Sequence, residues 1–194
     1  MSQETPLIVF EGIDNSGKTT ISKIIHENHP EFEWLKEPVF STEEADQLNS
    51  SASKLTGAER EFLFLKGRIE RQKTYRSKPV LLDRYLWSGM AYAKAFSPEI
   101  AAEAINLYQM YWIFKKPTVT VFMDTPIETC QSREPSLTIA RLVKIYNSYM
   151  DTKKYVNTPI ITIDGSKSID ECVEQCEKQL APYLKLIAEL KIDE

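Results

Sequence analysis

Gly12, Gly17, Lys18 and Thr19 occupy every fixed position of the pattern G-x-x-x-x-G-K-[ST], directly after the apolar run Leu7-Ile8-Val9-Phe10. That spacing builds an anion cradle. The glycines let the backbone through Asn15 and Ser16 curl so that its N–H groups point inward at phosphate oxygens. Lys18 adds a point charge for the β- and γ-phosphates, and the Thr19 hydroxyl is a candidate Mg²⁺ ligand. A helix opening at Lys18-Thr19-Thr20 would aim its positive end at the same place. The pattern implies a bound nucleoside triphosphate and leaves open what receives its phosphate.

Two further clusters bear on that question. The run Pro79-Val80-Leu81-Leu82 closes on Asp83-Arg84-Tyr85. An apolar strand ending in a carboxylate has the shape of a Walker B element, whose Asp83 would join Thr19 around Mg²⁺. Arg84 beside it is placed for a phosphate. Phe64 and Arg68 stand at i, i+4 on an expected helix and share a face. One ring can stack on a base while a guanidinium holds a phosphate; spacing alone favours a core Phe with a surface Arg.

These residues need elements to position them. Strands are expected at Leu7–Phe10, Phe32–Leu35, Pro79–Tyr85, Val119–Asp124 and Pro159–Asp164, each short and apolar as in a sheet buried on both faces. Helices are expected at Lys18–Asn28, Ala58–Tyr75, from Ser88, over Pro98–Phe114, after Thr125-Pro126, and from Ser168 to about Leu190. The polar segment Ser41–Leu55, with Asn49-Ser50-Ser51 inside it, reads as a helix and a flexible connection. Glu37-Pro38 falls just past a strand end, where open α/β sheets place ligands. Arg133-Glu134-Pro135-Ser136 interrupts a helix and reads as a turn or, in a phosphotransferase, as a short lid near 131–140. The alternation predicts an α/β fold of three layers, a five-stranded parallel sheet flanked by helices, in one domain over 1–194.

Composition narrows the class. The 194 residues carry a net charge of −4, which gives no support for a nucleic acid polymer as partner. No apolar run reaches the roughly 20 residues that cross a bilayer. The N-terminus lacks the basic and apolar regions of a signal peptide. The three cysteines, Cys130, Cys172 and Cys176, show no zinc or disulfide spacing. A cytoplasmic location is expected. His26 and His29, at a helix end, read as surface groups without a catalytic role. The aromatic run Tyr108–Phe114 reads as core or, alternatively, as a subunit interface.

Taken together, the motifs resemble the thymidylate kinase family. Phe10-Glu11-Gly12-Ile13-Asp14 leading into Gly17-Lys18-Thr19-Thr20 is similar to its P-loop, and Asp83-Arg84-Tyr85-x-x-Ser88-x-x-Ala91-Tyr92 to its second signature. Glu37-Pro38, Phe64-x-x-x-Arg68 and Ile163-Asp164-Gly165-Ser166 fall in the matching order. The resemblance implies the P-loop NTPase fold, a homodimer, and Mg²⁺-dependent transfer of the γ-phosphate of ATP to dTMP. It implies that Phe64 stacks on thymine and that Arg68 and Arg84 hold the acceptor phosphate. Tyr92 would pack under the deoxyribose, Asp14 would meet the 3′-OH, and Ser88, Glu37 and Pro38 would line the pocket. Where some members have a P-loop arginine, Asn15 stands here, which points to Arg133 and, less directly, Arg141. Val39-Phe40 stand where bacterial members often have glycines, and Gly89 where some members have a polar residue that touches the base.

Within this reading a broader dNMP kinase, acting on dUMP or another monophosphate, stays open, and two rival readings remain beside it. A deoxynucleoside kinase shares the fold and needs a carboxylate base, for which Glu37 is the candidate. A non-catalytic nucleotide-binding protein is the other. A GTPase switch would carry Asn-Lys-x-Asp, which is absent, and Lys18, Asp83 and Arg84 are all present.

Overall fold

Each apolar run expected to form a strand does so, in β1 (Leu7–Glu11), β2 (Glu33–Lys36), β3 (Val80–Asp83), β4 (Val119–Asp124) and β5 (Ile160–Asp164). The structure is a computed structural model, and it describes residues 5–38, 40–49 and 55–185. Val39, Ser50, Ser51 and the expected helix end at Leu190 lie outside those residues. All the strand pairs are parallel, in the order β2-β3-β1-β4-β5. Parallel neighbours need long crossovers, and helices supply them.

The described helices are α1 (Lys18–Asn28), α2 (Thr42–Asn49), α3 (Gly57–Glu70), α4 (Gln72–Ser77), α5 (Leu86–Phe96), α6 (Ala101–Tyr108), α7 (Ile127–Arg133), α8 (Ile139–Thr152) and α9 (Ile169–Leu184). Alternation along the strands divides the core in two. Leu7, Val9, Val80, Leu82 and Phe122 pack with Trp87, Tyr108 and Tyr149 from α5, α6 and α8. Ile8, Phe10, Leu81, Val121 and Ile163 pack on the other face with Ile21 and Ile25 of α1 and Cys176 and Leu180 of α9. The result is the α/β, three-layer arrangement expected from the sequence. The chain leaves β1 for β2 and β3 on one side and then crosses to β4 and β5 on the other, so the crevice beyond the strand ends is the switch point where such sheets bind ligands.

Two expected helices are divided. The segment Ala58–Tyr75 breaks at Arg71 into α3 and α4. Gln72 is drawn inward there: its Nε2 donates to the Arg68 carbonyl, and its Oε1 accepts from Lys115 N at 2.8 Å and from the Tyr85 hydroxyl. The segment Pro98–Phe114 becomes a short 3₁₀ turn, α6 and a string of turns. Tyr108 and Phe114 are both buried while Trp112 is 78 % exposed, so most of that aromatic run is core. The three thiols are free and buried. His29, partly exposed, pairs with Glu177 across α1 and α9 at 2.8 Å, a structural contact.

One charged residue is part of the frame. Glu11 ends β1 with no exposed surface. Its carboxylate accepts from the backbone N–H groups of Tyr85 (2.9 Å) and Ser88 (3.1 Å), from the Ser88 hydroxyl, and from Tyr149 (3.1 Å). It therefore satisfies donors at the open end of α5 that would otherwise be buried and unpaired. Glu11→Ala should lower the unfolding free energy by at least roughly 1–3 kcal/mol, the range for one stranded buried donor. A urea midpoint unchanged from the parent protein would show that the network carries no stability.

Candidate active site

Sequence dictates the shape of the phosphate loop directly. Gly12 has φ +146, and a Cβ there would meet Ser16 Oγ at 2.7 Å and the Met123 carbonyl at 2.9 Å, so only glycine fits. Gly17, at φ +93, opens α1 with no side-chain cap, which leaves the first N–H groups facing the loop. Lys18 bends back into the loop, where its Nζ donates to the Ile13 carbonyl at 2.8 Å. The loop lines a cavity of about 410 Å³ with Asp14, Asn15, Ser16, Gly17, Lys18, Thr19 and Thr20 on one side and Arg133 and Lys167 on the other. Two buried polar atoms in it, Asn15 Nδ2 and Ser16 Oγ, have no hydrogen-bond partner among the described residues. Such atoms fit a ligand rich in acceptors, as a polyphosphate is.

The metal-type residues meet as expected. The Thr19 hydroxyl donates to Asp83 Oδ2 at 2.5 Å. Asp83 is fully buried, and its Oδ1 has no partner among the described residues. A hydroxyl and a half-satisfied carboxylate beside a phosphate cradle are hard oxygen donors that suit Mg²⁺. Arg133, at the end of α7, donates to the Asn15 carbonyl at 3.0 Å and to the Gly165 carbonyl at 3.3 Å, over the phosphate loop. Arg141 stacks on Phe96 at 4.6 Å and comes within 4.0 Å of Asp14.

A second cavity of about 270 Å³ lies on the other side of Arg84. It is lined by Glu37, Pro38, Phe64, Arg68, Ser88 and Tyr92, every acceptor-site residue expected from the sequence besides Asp14 and Arg84, which line it too. Asp14, Lys36 and Arg84 line both cavities. Arg84 is held there with φ +70, a left-handed conformation rare for such a residue. Its backbone N–H donates to the Phe10 carbonyl at 2.9 Å, and its guanidinium donates to the Gly12 carbonyl and to Asp14 Oδ1, the latter at 2.6 Å. Tyr92 donates to the same Asp14 oxygen at 2.6 Å. Burial pushes the Asp14 carboxyl up, but Arg84, Tyr92 and Lys18 more than reverse this and leave it below the usual carboxylate range.

Arg68 departs from the surface position that spacing alone allowed. It is 2 % exposed, with Nε 3.3 Å from Glu37 and Nη1 donating to the Tyr108 hydroxyl at 3.1 Å. Its charge centre lies 5.9 Å from the Phe64 ring centroid. Glu37 also accepts from Tyr75, and burial pushes its carboxyl above the usual range against the pull of Arg68. Ser88 is committed to Glu11 and Tyr149. Several residues escaped the sequence reading: Lys36 on the shared wall, Glu11 beneath it, and Glu61 and Tyr108 in the second cavity. Lys36 and Glu11 carried a signal, because each is a charge closing a strand. Glu61 and Tyr108 carried none.

The sequence model of the family described as thymidylate kinase matches residues 10–176. The chain belongs to the thymidylate kinase family. A probable thymidylate kinase of Methanocaldococcus jannaschii is 31 % identical over 191 residues, covering 93 % of this chain and 96 % of that protein. A thymidylate kinase of Leptospira interrogans is 28 % identical, covering 91 % and 94 %. The solved thymidylate kinase of Candida albicans superposes with a TM-score of 0.74 at 23 % identity over 93 % of this chain and 92 % of that one, which supports the shared fold. Family membership agrees with the motif reading.

Lys18 gives a test that is independent of the acceptor. Burial, reinforced by Arg84, lowers its ammonium to about 7. A triphosphate needs that group charged, so above pH 7 binding must draw a proton from solution. Triphosphate affinity should fall as pH rises from 7.5 to 8.5, by up to about tenfold. Calorimetry in buffers of different ionisation enthalpy should show the uptake, and Lys18→Met should bind weakly with no such dependence.

Proposed function

We propose that this chain transfers the γ-phosphoryl group of ATP to dTMP, giving dTDP, with Mg²⁺ as cofactor. The observation that carries the reading is the shared wall of Asp14, Lys36 and Arg84 between a phosphate-loop cavity and an aromatic–arginine cavity. A donor and an acceptor phosphate brought to that wall would meet across Arg84. Two anionic phosphates approach each other only where cations converge, and Lys18, Lys36, Arg84 and Arg133 do so. No general base is required, because an acceptor phosphate with a second pKa of about 6 is largely ionised near neutrality.

In this reading Gly12 through Thr20 bind the triphosphate, with Lys18 on its β- and γ-phosphates. Thr19 and Asp83 hold Mg²⁺, which when bound offsets phosphate charge. Arg84 exchanges Asp14 for the acceptor phosphate and carries its charge into the transition state. Asp14, released, takes the sugar 3′-OH, and Tyr92 packs under the deoxyribose. Phe64 stacks on the base. Arg68 takes a different role from the phosphate contact expected of it: neutralised by Glu37 and lying near the Phe64 ring, it suits the base edge. Arg133 and the 131–140 segment cover the triphosphate and exclude water. The whole chain then works as one kinase unit. The three free buried thiols are consistent with a cytoplasmic location, and exposed Trp112 with a homodimer. Among the described residues no helix is long and apolar enough to cross a membrane.

Glu37 as the base of a nucleoside kinase is disfavoured, since it is 1 % exposed and bound to Arg68 and Tyr75. The test is ATP turnover with dTMP, dUMP, dCMP, dGMP and thymidine. Strong turnover with dTMP and little with thymidine is expected; the reverse would overturn the reading. Arg84→Ala should cut kcat by at least about a hundredfold, as for loss of one transition-state donor, with an unchanged circular dichroism spectrum. Asp83→Asn should raise the Mg²⁺ concentration needed for half-maximal rate, and an unchanged requirement would remove Asp83 from the metal site.

A further inference from the structure

Gly89 is the key to the inner end of the second cavity. A Cβ at this position would stand 2.5 Å from the Tyr108 ring, so the ring fills the space that any side chain at 89 would take. Position 89 itself therefore presents no side chain to a base. The Tyr108 hydroxyl accepts from Arg68 at 3.1 Å and donates to Glu61 Oε2 at 3.2 Å. Glu61, on the first turns of α3, is only 5 % exposed and lines the cavity beside Phe64. Its other oxygen takes no hydrogen bond among the described residues. A carboxylate with one oxygen tethered and the other open to the cavity is an acceptor that a ligand N–H can meet.

We propose that Glu61, held by Tyr108, determines base specificity by accepting the ring N–H of a keto pyrimidine. This deepens the assignment of the second cavity as the nucleotide acceptor site and rests on it. The cavity would then present a donor, Arg68, next to an acceptor, Glu61. Thymine and uracil offer the complement, a 4-keto oxygen beside N3–H. Cytosine offers the inverse, an amine beside a bare ring nitrogen, and would set donor against donor and acceptor against acceptor. A site built on a buried polar partner rejects the mismatched analogue far better than an apolar pocket does. Burial also lifts the Glu61 carboxyl above the usual range, against the pull of Arg68 and Tyr108, so acid would weaken the discrimination.

The experiment is calorimetric binding of dTMP, dUMP and dCMP at pH 7.5 to the full chain and to Glu61→Gln, Glu61→Leu and Tyr108→Phe, with turnover of the same acceptors. In the parent protein dTMP and dUMP should both outbind dCMP. Glu61→Gln, whose amide can turn to donate or accept, should narrow that preference by about tenfold or more, chiefly through tighter dCMP binding. Tyr108→Phe should narrow it less, and Glu61→Leu should weaken both keto pyrimidines. Triphosphate binding at the separate phosphate loop reports that each variant is folded. A ratio in Glu61→Gln within twofold of the parent overturns the inference, however active the enzyme is. Binding of dTMP without turnover sinks the kinase reading instead, while the ratio still decides the role of Glu61.

Discussion

Glu11 closes β1 by drawing two backbone N–H groups and two hydroxyls onto one carboxylate. The strand that leads into the phosphate loop is thereby bonded to the start of α5, and α5 carries Ser88, Gly89 and Tyr92 along the second cavity. That contact holds the α5 wall of the second cavity against the strand that enters the phosphate loop. Because the donors are buried, they have no water to turn to if the carboxylate moves. The same residue anchors α8 through Tyr149, and α8 bears Arg141 near Asp14. Helices α5 and α8 thus both refer back to the end of one central strand.

Two arginines of the site are paired with carboxylates. Arg84 faces Asp14, Arg68 faces Glu37, and Lys18 rests on a carbonyl. Such pairing holds long side chains in position before any ligand arrives, which lowers the ordering needed on binding. It also means that substrates exchange partners rather than bringing charge to bare cations. The pairs differ in kind. Arg68 and Glu37 are almost wholly buried, and separating them would strand a charge. Arg84 and Asp14 keep some contact with solvent and lie on the shared wall, so theirs is the pair that can open.

The sequence carried the phosphate loop and the strand ends because each is set by local chemistry: a glycine with no room for a Cβ, an apolar run closing on a charge. It did not carry the breaks in two helices. Nothing at Arg71 signals an interruption; Gln72 turns inward because Lys115 and Tyr85, distant in sequence, offer partners. Tyr108 and Phe114, six positions apart, would point well away from each other on one continuous helix, so burying both in the same core forces a turn. Glu61 and Tyr108 were silent for the same reason. Their roles exist only once Gly89 leaves a space between helices for a ring from α6.

The left-handed backbone at Arg84 has a consequence for any attempt to engineer this protein. A side chain held there works against roughly 1–2 kcal/mol of local preference that glycine would not feel. Heat-based selection without an activity screen would therefore favour glycine at this site, and it would reward the loss of the one guanidinium that spans both cavities. Thermal tolerance and turnover pull this position in opposite directions, so a consensus or stability-guided library should hold it fixed and seek its gains elsewhere.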